Sequence, residues 1–199
     1  MKYDRLEGYL KDVQATVYTE KGWHVHDEIT LASIDKYVAK HQFKKILDIG
    51  CGTGFAMKKF KDMGISVTGI TLDETELKLH RENGFDVHLM DMSFLEFEDN
   101  SFDFIWCRHA LEHSIMPYVT LREMHRVLDK DGYVYVEVPS PIPNHVANPN
   151  HYSMFDDLGW QELFRKAEFK LLDRGQYVLE VPEPGVMSLW LYWTYWLKK

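Results

Sequence analysis

Short apolar runs alternate with segments of helical spacing along most of the chain. Five runs are apolar or β-branched and are bounded by glycine or polar residues, which is typical of strands buried on both faces. They cover residues 44–49, 66–71, 85–90, 102–107 and 132–138. Between them, apolar residues recur three or four positions apart, which predicts helices. These helices cover residues 55–63, 73–83 and 110–128, the last interrupted near Pro117.

Strands that alternate with helices predict a parallel sheet with helices on both faces, that is, a Rossmann-like, doubly wound α/β fold. Two more strand-like segments, residues 169–181 and 186–196, follow with no helix between them. Strands joined so directly run in opposite directions. We therefore predict a mostly parallel, seven-stranded sheet with an antiparallel strand near the C-terminus, and we expect the aromatic residues of the last segment to pack into the core.

The length of 199 residues suits a single domain with three parts. Residues 1–43 look mainly helical and form an N-terminal cap. Residues 44–140 form the strand–helix core. Residues 141–199 supply a loop, a helix and the closing strands, and the loop is rich in proline and asparagine around residues 140–154.

Composition and charge narrow the class of protein. Hydrophobic residues make up 45% and charged residues 27%, an ordinary globular balance, and the net charge is −8. A negative chain has no general attraction to nucleic acid or anionic lipid. The two cysteines suggest no disulfide framework, and we find neither a signal core nor an apolar run of about 20 residues. We therefore expect a cytoplasmic protein with no membrane span and no nucleic-acid partner.

A glycine-rich segment follows the first strand and reads K-K-I-L-D-I-G-C-G-T-G. A strand, a glycine turn and a helix bring backbone N–H groups to the edge of the sheet where such folds bind ligands. Glycine also removes the Cβ atom that would obstruct a close approach. The spacing does not fit the dinucleotide pattern G-x-G-x-x-G, because the sixth position is Phe55 or Met57 in the two registers. A P-loop pattern is absent as well.

The segment L-D-I-G-C-G-T-G resembles the first motif of class I S-adenosylmethionine-dependent methyltransferases, in their small-molecule, methyltransferase type 11-like branch. Three later segments resemble further motifs of that family in the same order, namely residues 91–103, 108–114 and 121–139. The resemblance implies S-adenosylmethionine as cofactor, S-adenosylhomocysteine as product and a small-molecule substrate.

The resemblance also implies a set of cofactor-binding residues. Those that would hold the methionine part are Asp48, Gly50, Cys51, Gly52 and Gly54. Asp91 would accept a hydrogen bond from the adenine amino group, and the Met92 backbone would bond the ring. Cys107 and Arg108 would line the cofactor with backbone atoms at the end of the fourth strand.

One position departs from the family pattern. The family usually has an acid at the end of the second strand that binds both ribose hydroxyls, whereas this chain has Thr71 there. We expect Thr71 and the Leu72 backbone to contact the ribose, and Asp73, two residues after Thr71, stays open as the alternative ribose ligand. Asp73 begins D-E-T-E, which predicts a helix N-cap with Glu76 as its reciprocal partner.

The implied reaction is an in-line displacement at the sulfonium methyl group by an oxygen, nitrogen or carbon nucleophile. Catalysis then depends mostly on alignment, with a base where the nucleophile carries a proton. Two histidines fall on the acceptor side, His109 at the end of the fourth strand and His113 four residues later. Either has the acid–base range for a base near neutral pH. The alternative for His113 is a purely structural role.

The chain has 10 histidines, so metal binding needs consideration. Two of them, His24 and His26, lie near the carboxylates Asp27 and Glu28. Two others, His145 and His151, lie within the proline-rich loop. Their spacing does not require a shared ion, and we predict no metal. We expect residues 22–26 and the loop to cover the pocket as a lid.

Two other functions stay open at this point. One is methylation of nucleic acid, which the negative charge and the absence of D-P-P-Y, N-P-P-Y and Pro-Cys motifs disfavour. The other is a non-catalytic subunit that keeps the cofactor fold, which the intact glycine segment and Asp91 disfavour. The sequence gives neither the acceptor nor the oligomeric state.

Overall fold

The structure is a computed structural model that describes residues 5, 6, 8–10, 24–183 and 186–199. Its strands are β1 Lys45–Ile49, β2 Ser66–Thr71, β3 Asp86–Leu89, β4 Phe102–Arg108, β5 Leu128–Pro139, β6 Lys170–Glu183 and β7 Val186–Lys198. They form one sheet in the order β3-β2-β1-β4-β5-β7-β6. Strands β1 to β5 are parallel, and β7 runs antiparallel to both β5 and β6. The predicted fold class is confirmed.

Helices precede and connect the strands. They are α1 His24–Ser33, α2 Phe55–Asp62, α3 Glu74–Glu82, α4 Pro117–Val127, α5 Pro143–Val146 and α6 Asp157–Lys166, with a π-helical turn at Ile34–Val38 after α1. Proline at the first position of α4 suits that helix, because the first N–H of a helix has no partner within it. Of the predicted N-terminal cap, most residues before His24 lie outside the described residues.

The core has two halves, one on each face of the sheet. Side chains alternate along each strand, so that in β4 Phe104 and Trp106 face one side while Ile105 and Cys107 face the other. Helices α4 and α6 cover the face with Ile105, and α2 and the π-helical turn cover the face with Trp106. The terminal aromatic residues are buried in both halves, as expected, at Tyr195 on one face and Trp196 on the other.

The segment after β4 differs from the sequence prediction. Residues 110–128 were expected to form one interrupted helix, but only a 3-10 turn, Leu111–His113, and α4 are helical. Proline disfavours helical backbone in the residue before it, and Met116 is extended away from the helix region at φ −135°. Its N–H donates instead to the Ser114 hydroxyl, at 3.1 Å. His113 therefore lies in a short turn rather than on a helix face.

Two smaller boundaries also differ. β5 begins at Leu128, before the predicted start at Gly132, and the proline-rich loop contains the short helix α5. Within the described part of the chain, every helix is too short or too polar to cross a membrane.

Candidate active site

A cavity of about 460 Å³ lies at the carboxyl ends of β1, β2 and β4. Eleven of the predicted site residues line it: Asp48, Gly50, Cys51, Gly52, Thr71, Leu72, Asp91, Met92, Arg108, His109 and His113. Gly54 and Cys107 do not line it, and the Cys107 side chain is buried in the core. The fold therefore brings together most, but not all, of the residues singled out in the sequence.

The three positions of the loop require glycine for different structural reasons. All have positive φ, at 71°, 50° and 76° for Gly50, Gly52 and Gly54. A Cβ atom on Gly54 would lie 2.6 Å from the His80 ring, and one on Gly50 would lie 2.9 Å from Ala110 Cβ. On Gly52 the nearest atom would be 3.9 Å away. The protein's own packing thus excludes side chains at two glycines, and only Gly52 faces open space within the cavity.

His80 supports this loop from α3, and sequence reasoning missed it. Its side chain is buried, and its Nε2 atom lies 2.7 Å from the Gly52 carbonyl oxygen. A buried imidazole that both fills the space beside Gly54 and bonds Gly52 fixes the shape of the turn. The sequence around His80 is polar and gave no signal for this role.

The end of β2 forms a small polar cluster. Asp73 caps α3 as predicted, accepting from the N–H groups of Thr75 and Glu76 at 2.6 and 3.1 Å. The expected reciprocal bond from Glu76 to the Asp73 N–H is wrong, because the Thr71 hydroxyl takes that place. It accepts from Asp73 N at 3.0 Å and donates to Glu76 Oε2 at 2.8 Å. Glu76 thereby turns its carboxylate toward the cavity, which it lines.

Two aspartates stand at opposite sides of the cavity. Asp48 is buried at the end of β1, and this burial raises its pKa to about 7, although the charge of Arg108 lowers it. Asp91 lies in the turn after β3, where one carboxylate oxygen accepts from Ser93 N at 2.7 Å. Asp48 can therefore change its charge near neutral pH, and Asp91 both shapes its turn and faces the cavity.

A buried carboxylate, Glu137 on β5, lies behind the acceptor side of the cavity. Its oxygens are 2.7 Å from Arg108 Nε and 2.8 Å from His109 Nε2, and they accept from the hydroxyls of Tyr135 and Tyr177 at 2.7 and 2.6 Å. Burial raises the pKa of Glu137, but these partners, Arg108 first, bring it down to about 2. Glu137 is therefore charged throughout the working pH range.

His109 lies between two carboxylates. Its Nδ1 atom is 3.6 Å from Glu112 Oε1, on the side opposite Glu137. Burial and the charge of Arg108 lower the pKa of His109, but the contacts with Glu112 and Glu137 outweigh them and raise it. Both ring nitrogens of His109 therefore face carboxylates, which leaves neither well placed to accept a proton from a substrate.

His113 has a different environment. Its Nδ1 atom lies 2.8 Å from the Asn150 carbonyl oxygen, so Nδ1 is the donor and Nε2 keeps its lone pair. The His113 ring is 5.0 Å from the ring of His151, which comes from the loop between β5 and α6. The predicted lid thus meets the acceptor side directly.

The N-terminal segment also reaches the cavity. His26 lines it, with Nδ1 3.0 Å from an Arg108 guanidinium nitrogen and its ring 5.2 Å from the His109 ring. Both segments predicted to form a lid therefore contribute to its walls.

Comparisons with known proteins bear on this arrangement. Residues 47–136 match the profile of a family described as a methyltransferase domain. The ubiquinone biosynthesis O-methyltransferase of Pseudomonas aeruginosa (strain LESB58) is 34% identical over 107 residues, which are 50% of this chain and 46% of that protein. The chain spans about half the length of the curated relatives it matches.

Two solved structures show the same fold. A SAM-dependent methyltransferase from Archaeoglobus fulgidus has a TM-score of 0.70 at 18% identity, covering 87% of this chain and 94% of its own. The 1,6-didemethyltoxoflavin-N1-methyltransferase of Burkholderia thailandensis, solved with S-adenosylhomocysteine bound, has a TM-score of 0.62 at 22% identity, covering 85% and 76%. Over residues 47–136 the chain therefore resembles methyltransferase domains, and its fold is that of S-adenosylmethionine-dependent methyltransferases of known structure.

The cavity has groups suited to S-adenosylmethionine, the cofactor that the sequence resemblance implies. Gly52 leaves its side of the loop open to the cavity, and the carboxylates of Asp48, Glu76 and Asp91 stand around it. These are acceptors for a positively charged amino acid, two ribose hydroxyls and an adenine amino group. Of the three, Glu76 is the one that sequence reasoning did not place at the site.

We expect Gly54→Ala to destabilise the protein by about 2 kcal/mol or more, because the strained φ and the collision with His80 add together. The control Gly64→Ala has a similar φ of 79° but no atom within 4 Å, so it should lose only about 1 kcal/mol. Urea denaturation would measure both variants. Adding His80→Ala to Gly54→Ala should remove the collision between the new Cβ atom and the His80 ring. Gly54→Ala should therefore cost less stability in the His80→Ala background than in the native protein. Equal stability of the two single variants would contradict this account of the loop.

Proposed function

We propose that this methyltransferase transfers the methyl group of S-adenosylmethionine to a hydroxyl oxygen of a small phenolic acceptor. The observation that carries the proposal is that the glycine loop and the pair His113 and His151 line one cavity. A hydroxyl nucleophile must lose its proton, and a nitrogen lone pair beside it serves that need. The name of the Pseudomonas relative, an O-methyltransferase, agrees with an oxygen acceptor.

The walls of the cavity favour an aromatic acceptor. Phe55, Tyr152, Trp190 and Tyr192 contribute to its lining. Aromatic side chains stack well on flat rings and orient them. A net charge of −8 and a cavity roofed by two segments argue against a nucleic-acid acceptor.

We assign the cofactor contacts to the residues that line the cavity. Asp48 and the loop from Gly50 to Gly52 would hold the amino-acid part, Thr71, Leu72 and Glu76 the ribose, and Asp91 and Met92 the adenine. S-adenosylmethionine supplies a methyl group on a positively charged sulfur. Arg108 would support the site through Glu137, and Gly54 and Cys107 would shape it without contact.

On the acceptor side, we assign to His113 a direct role in activating the acceptor's hydroxyl group. We assign to His109 a positioning role. His109 is held between Glu112 and Glu137, whereas His113 contacts the Asn150 carbonyl through Nδ1 and has Nε2 left for an acceptor. That atom can assist in two ways: it can take the hydroxyl proton, or it can help to bind a cation that makes the hydroxyl more acidic. In either case the oxygen bonds to the methyl carbon, the carbon–sulfur bond breaks with its electrons on sulfur, and the acceptor's proton leaves.

The test is methyl transfer from labelled S-adenosylmethionine to a panel of phenols, hydroxyquinones and amines, followed by mass spectrometry. We expect methylated phenolic products. With the best acceptor, His113→Ala should lower kcat by about 10²-fold while the Kd for S-adenosylhomocysteine is unchanged. His125→Ala, whose ring packs on Phe169 away from the cavity, is the control. Methylation of amines alone, or an unchanged kcat in His113→Ala, would refute the proposal.

The ribose assignment gives different roles to two neighbouring acids, Glu76 as a ribose ligand and Asp73 as a helix cap. Glu76→Ala should weaken S-adenosylhomocysteine binding by roughly ten- to hundredfold, because hydrogen bonds to a charged group contribute about 1.5–3 kcal/mol. Asp73→Ala should instead lower the free energy of unfolding by about 1 kcal/mol, the usual cost of a lost N-cap. Calorimetry and thermal melts on both variants measure the difference. The reverse pattern would make Asp73 the ribose ligand.

Cofactor binding should depend on pH through Asp48. Its pKa of about 7 in the free protein means that a positively charged ligand must first displace its proton below that pH. The affinity for S-adenosylhomocysteine should therefore rise by about fivefold from pH 6 to pH 7 and by about a further twofold to pH 8, where it levels off. The Asp48→Asn variant should bind S-adenosylhomocysteine weakly, with no rise in affinity as the pH increases. The Glu76→Gln variant should keep the rise. An identical pH profile in Asp48→Asn would contradict the role of Asp48.

A further inference from the structure

Three potential metal ligands converge at the acceptor end of the cavity. Glu112 and His113 lie in the 3-10 turn after β4, and His151 lies in the loop after α5. One ligand atom from each lies within 4.8 Å of those of the other two. Bonds of about 2.1 Å to a first-row ion place neighbouring ligand atoms roughly 3–3.5 Å apart. Small side-chain rotations would therefore bring all three onto one ion.

Backbone carbonyls hold both imidazoles in the form that binds metal. Nδ1 of His113 donates to the Asn150 carbonyl and Nδ1 of His151 donates to the His145 carbonyl, each at 2.8 Å. A carbonyl only accepts, so Nε2 is the unprotonated nitrogen in both rings. A donated ring N–H of this kind is the usual outer support of a metal-binding histidine. At His151 the same Nε2 lies 3.2 Å from the Asn148 amide nitrogen, a contact that an ion would replace.

Glu112 supplies the second, independent sign of a ligand. Its side chain is 1% exposed, and its Oε2 atom has no hydrogen-bond partner within the described ranges. A buried carboxylate oxygen left without a partner is costly, so such atoms usually face a bound group. Nε2 of the nearby His145 is also buried without a partner among the described residues, and its ring lies 6.4 Å from that of His151.

We propose that Glu112, His113 and His151 bind a divalent cation of the first transition series, which in turn holds the acceptor's hydroxyl oxygen. The second part rests on the proposed function. Two imidazoles and one carboxylate suit Zn²⁺, Fe²⁺, Mn²⁺ or Co²⁺ better than Mg²⁺ or Ca²⁺, which prefer oxygen ligands throughout. Three protein ligands leave further coordination positions for the acceptor.

The cation explains how a hydroxyl acceptor is activated beside His113 without a transfer of its proton to that imidazole. A hydroxyl bound to a divalent ion loses its proton to solvent at a lower pH than a free one. The resulting metal-bound oxygen then forms its bond to the methyl carbon as the carbon–sulfur bond breaks. His113 acts as a ligand in this scheme and not as the base. The sequence analysis predicted no metal, and the spacing gave no sign of this group because His151 is distant in sequence from the other two residues.

Cobalt is the probe for the site, because its visible absorption reports imidazole coordination directly. Chelator-treated protein should bind one Co²⁺ per chain, and Zn²⁺ should displace it. Each of His113→Ala, His151→Ala and Glu112→Gln should weaken Co²⁺ binding by roughly 100-fold or more. The control is His88→Ala, which removes a partly exposed histidine that lies 3.1 Å from Asp86 on β3. It should bind Co²⁺ as the native protein does.

Calorimetry with S-adenosylhomocysteine, run on every variant, shows whether the fold and cofactor site survive. His151→Ala changes a partly exposed loop residue, so it keeps the test decisive even where Glu112→Gln unfolds. Absence of Co²⁺ binding in the native protein, or native-like binding in His113→Ala and His151→Ala, would overturn the proposal. Full methylation activity after chelation would also overturn it and leave the proposed function standing. Co²⁺ binding lost in the variants, with no acceptor methylated by the native protein, would support the metal site and refute the function.

Discussion

The buried charge of Glu137 is the constraint on which the acceptor side depends. A carboxylate removed from water is stable only when donors surround it, and here they come from the end of β4, from β5 itself and from β6. Tyr135 extends the network to Ser33 at the end of α1, at 2.9 Å. Removal of one partner from a buried ion pair typically costs about 3–5 kcal/mol. The positions of Arg108 and His109, and so the shape of the cavity wall, follow from this one charge.

The contacts around this network also give different roles to His109 and His113, two histidines that look equivalent in sequence. Both ring nitrogens of His109 lie beside carboxylates, whereas His113 donates from Nδ1 to a backbone carbonyl. The difference lies entirely in what each imidazole contacts in three dimensions. Two histidines four residues apart can therefore have different roles, one in positioning and one in chemistry.

Much of the fold could be predicted because its signals are local. Alternating apolar runs gave the first five strands, and two strand-like segments with no helix between them gave the reversed strand. The Asp73 cap and the glycine turn are likewise short-range patterns. The segment after β4 was misjudged because the constraint of Pro117 reaches back over residues that have helical spacing.

The site was only partly predictable, for a physical reason. The sequence around Glu76 predicted that its carboxylate would accept from the Asp73 N–H in a capping box. The Thr71 hydroxyl accepts from that N–H instead, and the Glu76 carboxylate lines the cavity. His80 acts on a loop far earlier in the chain, and His151 meets Glu112 and His113 only after the sheet has formed. Sequence periodicity describes which face a residue occupies and does not report which distant residue it will meet.

The strand order has a consequence for how the chain assembles. β1 is first in sequence but lies inside the sheet, between β2 and β4, so one of its edges stays open during synthesis until Phe102–Arg108 has emerged. At the other end, β7 lies between β5 and β6, and β6 joins the sheet only through β7. Pairings between distant segments form slowly, and open strand edges invite association with other chains. The nascent chain must therefore pass through two stages with an unpaired edge before its sheet is complete.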